Sequence, residues 1–313
     1  MLHSLSHKRF TARLALSGIL IWFAFSEVAT AQELEPRRWT HLPVDTNYLG
    51  VGYVRTEGDI FLDPVLEVEE GTIELDSLIA TYIRTFNWSG KTARVDVHLP
   101  LQSARWQGLL AGEPASVERE GMGDPRIRVS VNFLGAPALK GQDFRNYRAS
   151  NTTTTIAGAA LAISLPLGQY YEDKLLNLGS NRFIIRPQIG ALHVRNRWSF
   201  ELTGSAFFYT DNDEFWNGNT REQEPLYLVQ GHVIHTFNNR LWLSASAGYD
   251  WGGKSTINGA SKDDKREDFL YALSAGKPLS KTSSIKLAYV NGRTREEVGS
   301  NTDNLILAIS SLF

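Results

Sequence analysis

The sequence predicts an all-β protein, a transmembrane antiparallel up-and-down β-barrel of about twelve strands that follows a cleaved signal peptide. Three observations predict it. The chain begins with an export signal, about twelve later segments alternate apolar and polar residues, and long connections alternate with short ones. Of its 313 residues, 42% are hydrophobic and 21% are charged, which excludes a disordered polymer.

Residues 1–31 have the composition of a secretory signal peptide. A basic start that includes Lys8 precedes the uncharged run 14–25, and the small residues Ala29 and Ala31 provide a cleavage site. This run is shorter than the roughly 20 residues that a membrane-spanning helix needs, and an uncleaved anchor is the alternative. Because the chain has no cysteine, disulfides, thiolate metal sites and cysteine nucleophiles are excluded.

Period-two alternation dominates the chain after residue 47. In residues 198–209, for example, Phe200 and Leu202 alternate with Glu201 and Thr203, so that one face is apolar and the other polar, as in a half-buried strand. Residues 32–47 are predicted to be a periplasmic segment, and residues 48–313 the barrel. The predicted strands are 48–57, 72–86, 91–102, 123–133, 153–167, 181–195, 197–210, 225–237, 240–252, 267–277, 283–293 and 302–313.

The connections between these segments alternate in length. In an antiparallel meander all long connections then lie at one end, which is the asymmetry of outer-membrane barrels with long external loops and short periplasmic turns. One connection, residues 134–152, is long where a short turn is expected, and we predict that it forms a plug, a flap or a surface helix near the periplasmic rim. The long external connections are predicted at 58–71, 103–122, 168–180, 211–224, 253–266 and 294–301.

Aromatic residues collect at the ends of the predicted strands. Trp88 and Trp198 lie by short turns, and Trp106 and Trp251 lie by long loops. Aromatic girdles at the two membrane interfaces produce this distribution, whereas in a soluble β-sandwich, the alternative, aromatics cap the core. The last strand ends on Phe313 and resembles the carboxy-terminal signal of bacterial barrel proteins. That resemblance implies the barrel-assembly machinery as a partner.

If the apolar rows face lipid, the polar rows line an internal space. The strands must then close, because an open sheet edge cannot exist in hydrocarbon. An excess of arginine among the inward residues indicates a polar passage for anionic or hydrogen-bonding solutes, and a ladder of ion pairs that fills a narrow barrel is the alternative. The lumen-lining candidates are Arg94, Asp96, His98, Arg126, Arg128, Asn132, Arg186, Gln188, Glu201, Gln230 and His232.

Other classes of function have no positive support in the sequence. No zinc-binding His-Glu-x-x-His, nucleophile-elbow or phosphate-loop motif is present, and His232 and His235 lie on opposite faces of one strand. Asp211, Asp213 and Glu214 have the spacing of a calcium site but are more typical of a solvated loop. The net charge of −2 disfavours a nucleic-acid partner. We therefore expect that the protein is not an enzyme and that it has neither a metal site nor a cofactor.

Short blocks that lie in one order along the chain resemble a bacterial outer-membrane family. The blocks are residues 47–50, 58–60, 63–64, 123–126, Asn132 with 135–139, 168–170, 177–183, 186–190, 211–215 and 223–226, followed by His232. The family is known as "putative MetA-pathway of phenol degradation", and the resemblance covers roughly residues 45–313. It implies an outer-membrane β-barrel that transports hydrophobic or aromatic compounds.

The shared blocks cluster at the predicted external mouth. Our hypothesis is that Arg182, Arg186, Asn212, Gln223 and His232 form an external vestibule that sorts solutes, and the alternative is that they lock the loops together by hydrogen bonds. The expected function is passive or facilitated passage of small, aromatic or hydrophobic solutes across the bacterial outer membrane, whose lipid surrounds the barrel. A structural or adhesion-type envelope barrel with a filled lumen is the alternative.

Overall fold

The protein, in a computed structural model, is described for residues 34–62 and 68–313. The predicted signal peptide and the block 63–64 lie outside the described residues. The strands and the helix follow in the order β1 (Thr46–Phe61), β2 (Val68–Trp88), β3 (Lys91–Leu110), β4 (Glu113–Met122), β5 (Arg126–Leu134), α1 (Gly141–Ser150), β6 (Thr153–Ser164), β7 (Ile184–Arg195), β8 (Trp198–Tyr209), β9 (Asn212–Phe215), β10 (Asn219–Gln223), β11 (Leu226–Thr236), β12 (Trp242–Gly252), β13 (Ser255–Ile257), β14 (Ala260–Ser261), β15 (Arg266–Pro278), β16 (Ser283–Thr294) and β17 (Gly299–Leu312).

The described strands close into a barrel with twelve wall positions. Successive wall strands pair antiparallel, and β1 closes the ring because it pairs with β17 as well as with β2. The strands β4 and β5 share one wall position, since both pair with β3, through its residues 101–110 and 93–98 respectively. The short strands β9, β10, β13 and β14 form a separate small sheet in the external loops. The predicted fold class, an antiparallel barrel of about twelve strands, is confirmed.

The two ends of the barrel differ as the sequence predicts, with one change in the loops. Tight turns join β2 to β3, β7 to β8, β11 to β12 and β15 to β16 at the periplasmic end. The described parts of the predicted loops 58–71 and 103–122, however, are largely strand, and β3 and β4 form a hairpin around Ala111 and Gly112, both with positive φ. The outward side chains of this hairpin form polar pairs, such as Arg105 and Glu118, whose guanidinium nitrogen and carboxylate oxygen are 2.7 Å apart. Such pairs are stable in water, so the sheet continues beyond the lipid.

Each wall strand separates an apolar outer face from a largely polar inner face. On β8, Phe200 and Leu202 are exposed, whereas Glu201 and Thr203 are buried. The same parity holds around the ring, with exposed leucines on the outer face at Leu49, Leu78, Leu99, Leu161, Leu243, Leu273, Leu287 and Leu305. These outer rows are the ones that lipid contacts in an outer-membrane barrel.

The long periplasmic connection contains the helix α1. It takes the surface-helix form among the three that we predicted for residues 134–152, since none of its residues is buried. Two of its rings, Phe144 and Tyr147, meet the ring of His41 edge-on at centroid distances of 4.9 and 5.4 Å. The helix therefore packs against the chain segment that precedes β1. Among the described residues, no helix is both long and apolar enough to span a membrane.

Candidate functional site

The segment before β1 lies inside the barrel. Trp39 is completely buried, and Leu34, Arg38, His41 and Val44 are nearly so. The segment is anchored at several points around the inner wall, because Glu35 pairs with Lys286 of β16 at 3.0 Å and the Arg38 N–H donates to Glu201 of β8 at 3.0 Å. From the sequence we predict that residues 32–47 are a periplasmic segment. Period-two reasoning gave no sign of this internal position, because the segment is not a strand.

The Trp39 indole fits a recess in the wall formed by two glycines. A Cβ on Gly190 would lie 2.1 Å from the indole Nε1, and a Cβ on Gly158 would lie 2.6 Å from its Cε3. The indole Nε1–H donates to Thr203 Oγ1 at 2.8 Å, and the guanidinium of Arg128 lies 5.2 Å from the ring centroid. Only glycine leaves space for the ring at these two positions, so the wall and the segment are shaped for each other.

The Thr203 hydrogen bond to the indole can be tested separately from the ring packing. Replacing Thr203 with valine is expected to lower the free energy of unfolding by about 1–2 kcal/mol, because the buried indole N–H loses its acceptor. Thr203→Ser keeps the hydroxyl and is expected to unfold at nearly the original guanidinium concentration. Equilibrium unfolding in vesicles, followed by tryptophan fluorescence, measures both variants. Equal losses in the two variants would contradict this assignment.

A polar network surrounds the segment on the inner wall. Asp96 accepts from Arg94 at 2.6 Å and from Arg128 at 3.3 Å, and Arg128 donates to Gln188 at 2.9 Å. Asn132 donates to the carbonyl of Trp39 at 3.2 Å. Groups removed from water in this way need such partners, and the network holds the side chains in one arrangement.

The structure places every predicted lumen-lining residue on the inner face. Asp96, Arg128, Asn132, Arg186, Gln188, Glu201, Gln230 and His232 are buried, and Arg94, His98 and Arg126 are partly exposed. His232 hydrogen-bonds with Ser246 at 2.8 Å, and His98 with Thr81 at 3.1 Å. Most of these side chains thus contact one another or the internal segment.

Part of the inner wall in its external half is apolar, beside the buried charged residues Arg186, Asp250 and Asp268, and this apolar part is not expected from the sequence. Phe207, Leu226, Leu228, Leu270 and Val290 form one buried cluster, on strands β8, β11, β15 and β16, and Leu34 of the internal segment packs against it. A signal was present in the sequence, because Ala288 and Val290 interrupt the expected polar face of β16. A second buried cluster lies under the β3–β4 hairpin and contains Ile60, Ile73, Leu75, Ala104 and Trp106.

The predicted vestibule residues are packed into the external rim rather than exposed. Arg182 donates to Gln223 and stacks over the ring of Tyr209 at 4.4 Å, and Asn212 is 98% buried. The Asn212 side chain accepts from Asn181 at 3.0 Å and donates to the Tyr170 hydroxyl at 2.9 Å. Arg186 lies on the wall below and donates to Ser205 at 3.2 Å. This geometry is the one expected of residues that lock loops together.

The separated sequence blocks meet at this rim. Asp124, in block 123–126, accepts the N–H of Gly168 at 2.9 Å and the N–H of Ser180 at 2.8 Å. These contacts join block 123–126 to the blocks 168–170 and 177–183, which lie more than 40 residues further along the chain. They do so at the point where the partner of β3 changes from β5 to β4. No group of three His, Asp or Glu side chains in the described part of the chain has the arrangement of a metal site.

Comparisons with known proteins agree with this fold. The family model "Putative MetA-pathway of phenol degradation" matches residues 58–298. The chain is similar to the COG4313 outer membrane channel from Pseudomonas putida F1, at 21% identity and a TM-score of 0.74, over 89% of this chain and 99% of that one. It is also similar to the transport unit of the autotransporter AIDA-I from Escherichia coli, at 9% identity and a TM-score of 0.51, over 85% and 90%. No curated protein matches it.

These findings assign the protein to the bacterial outer membrane and give it the fold of a membrane channel. Since the family model covers most of the wall, from the end of β1 to the last external loop, the chain belongs to the outer-membrane β-barrel family described as "Putative MetA-pathway of phenol degradation".

Proposed function

We propose that the barrel is a channel for small hydrophobic solutes, including aromatic ones, which cross it by passive or facilitated passage. The observation that carries this proposal is the apolar cluster on the inner wall, Phe207, Leu226, Leu228, Leu270 and Val290. An aromatic solute gains roughly 25 cal/mol for each Å² of apolar surface that it buries against such a wall. A wall of this kind gives no comparable gain to a sugar or an ion.

The inner wall also changes character along the barrel axis. The apolar cluster ends on Leu34 of the internal segment, and the polar network around Asp96 and Arg128 begins beside Trp39. Along the axis from outside, the apolar cluster therefore comes before the internal segment. Its side chains are buried in this structure, so a solute contacts them only when they separate. Passage past Trp39 requires the segment to shift, which favours small solutes and a low flux.

A structural envelope barrel is the competing function, and the buried Trp39 is the observation that favours it. A barrel filled by its own chain can serve as a rigid anchor without conducting anything. The two functions differ in what they predict for a cell, since only a channel changes the entry of a hydrophobic probe through an intact outer membrane.

Uptake of N-phenyl-1-naphthylamine tests the proposal, because intact outer membranes exclude this neutral aromatic dye and its fluorescence rises on entry. Cells that express the full protein are expected to take up the dye several-fold faster than cells with an empty vector. Leu228→Asn and Leu270→Asn are each expected to remove most of that increase, because they place an amide in the apolar cluster.

Leu243→Asn is the matched control, since the same change then lies on the outer face of β12 and leaves the inner wall intact. Its dye uptake is expected to equal that of the unchanged protein at the same amount of folded barrel. Uptake at the empty-vector rate by the unchanged protein would exclude the channel and favour the structural function.

A further inference from the structure

A partly open cavity of about 290 Å³ lies at the periplasmic end of the barrel, between the internal segment and α1. Its walls come from the turn around Arg37, from the last turn of α1, from the β7–β8 turn and from the periplasmic end of β11. A solute that had passed the internal segment would enter this space before leaving the barrel. The cavity is separate from the apolar cluster of the external half.

Three arginines, Arg37, Arg148 and Arg197, line this cavity together with His41, and none of the described residues that line it is an Asp or a Glu. None of the three arginines forms an ion pair within the part of the chain that the structure describes. Arg37 lies over the Trp242 ring at 5.3 Å, an interaction that leaves its positive charge in place. Arg148 and Arg197 are exposed to solvent, whereas Arg37 is half-buried. Three cations without a counter-ion around one small cavity attract an anion.

The surroundings of Arg37 strengthen this conclusion. Burial lowers the pKa of the Arg37 guanidinium, and the positive charge of Arg148 lowers it further. Glu201 opposes these effects, but it does not line the cavity and it accepts the N–H of Arg38. A bound carboxylate would relieve the repulsion between the two arginines.

The rest of the lining is suited to an apolar body. Ile156, Leu192 and Ile234 form one wall, and the hydroxyl groups of Thr40 and Ser199 lie among them. The volume is close to the lower limit of about 300 Å³ for ligand pockets, and it admits one aromatic ring with a short acidic group. We propose that this cavity is a binding site for small organic anions with an apolar body, such as an aromatic carboxylate.

The site deepens the proposed function, on which it rests, because it names a substrate class for the channel. The apolar external wall takes up the ring of the solute, and the arginines take up its carboxylate after the internal segment has been passed. A charge-assisted contact from arginine to a carboxylate is about twice as strong as a neutral hydrogen bond, so the site holds the anion on the periplasmic side.

Binding of benzoate to the detergent-solubilised full barrel, measured by isothermal titration calorimetry, tests this site. Saturable binding of one benzoate per barrel is expected, with benzyl alcohol, which has the same ring and no charge, binding more weakly. Arg148→Gln and Arg197→Gln are each expected to weaken benzoate binding about tenfold, the loss of one charge-assisted contact.

Two neighbouring arginines provide matched controls. Arg145 lies one turn earlier on α1, where it hydrogen-bonds with Gln142, and Arg195 precedes the turn that carries Arg197, but neither lines the cavity. Arg145→Gln and Arg195→Gln are expected to bind benzoate like the unchanged protein. Equal losses in all four variants, or competition by sodium sulfate as effective as that by benzoate, would overturn the proposal.

The uptake and binding experiments fail independently. Dye uptake without benzoate binding would exclude the anion site and leave the hydrophobic channel in place. Benzoate binding without dye uptake would instead exclude the channel, and the anion site would then have no transport role.

Discussion

Replacing Trp39 with alanine is expected to raise the single-channel conductance of the barrel several-fold and to lower its free energy of unfolding by about 3–5 kcal/mol. Both effects have one cause. The indole is completely buried inside the barrel, and its contacts to Thr203, Gly158 and Gly190 join the internal segment to three wall strands. Without the ring a cavity remains, and the segment loses its main attachment.

The increase in conductance follows from the position of the ring on the axis. The internal segment occupies cross-section that would otherwise contain water, and ion flow through a narrow pore depends steeply on its free width. Currents through planar bilayers at low voltage measure this effect directly. Guanidinium unfolding in vesicles measures the loss of stability on the same preparation.

Two further variants make the result specific. Trp39→Phe retains most of the ring volume and is expected to keep the small conductance, while it loses the hydrogen bond to Thr203. Trp88→Ala removes an exposed tryptophan at the β2–β3 turn and is expected to change the conductance little. If Trp39→Ala conducted like the unchanged protein, the internal segment would not be what limits the pore.

The sequence predicts the wall of this barrel well because the physical signal there is local. Side chains along each wall strand point alternately to the lipid and to the interior, so the polarity of a residue such as Leu202 or Glu201 indicates its face. All twelve predicted segments contain a wall strand. The alternation of turn and loop lengths puts all the long loops at one end of the barrel, because an antiparallel meander has no other arrangement.

The site is less predictable because its contacts are not local. Nothing in residues 34–45 indicates where they lie, and their partners Lys286, Glu201 and Thr203 are more than 160 residues away. The recess for Trp39 consists of two glycines, which in a sequence look like any other strand glycine.

The prediction of the inner wall uses polarity alone. It selects residues such as Asp96 and Arg128, which are buried in the structure, but it assumes that every inward residue of a membrane barrel is polar. Leu228 and Leu270 break the assumption, since their burial depends on the neighbouring strands and on Leu34. Departures from a clean alternation therefore mark the part of a barrel where function is to be sought.

Replacing Asp124 with asparagine is expected to loosen the external rim, with a loss of about 3 kcal/mol in local stability. One carboxylate oxygen accepts the Gly168 N–H and the other accepts both the N–H and the hydroxyl of Ser180. An amide presents a donor where one of these oxygens stood, so at least one backbone N–H then faces another donor. Ser180 is 95% buried, and water cannot easily replace the lost acceptor.

The loss is concentrated at a weak point of the wall. The chain between β4 and β5 leaves the sheet at residues 123–125, and there the loop 165–183 takes the place of a neighbouring strand, with the Gln169 N–H donating to the Met122 carbonyl at 2.7 Å. Asp124 is the side chain that fastens this loop. Without this carboxylate, the loop 165–183 is expected to separate from the wall at the external membrane interface, while the hydrogen bonds between the other strands remain.

Amide hydrogen exchange is the measurement that resolves such a local change. In Asp124→Asn the amides of Gly168 and Ser180 are expected to exchange about a hundredfold faster, while amides of β12 and β15 keep their protection. Asp173→Asn is the control, because this carboxylate lies in the same loop but is exposed and pairs only with the adjacent Lys174 at 2.6 Å. Unchanged exchange at both amides in Asp124→Asn would show that the loop is held by its backbone contacts. In that case the block 123–126 would serve only to end β4 and to begin β5, and the loop would stay on the wall without the Asp124 carboxylate.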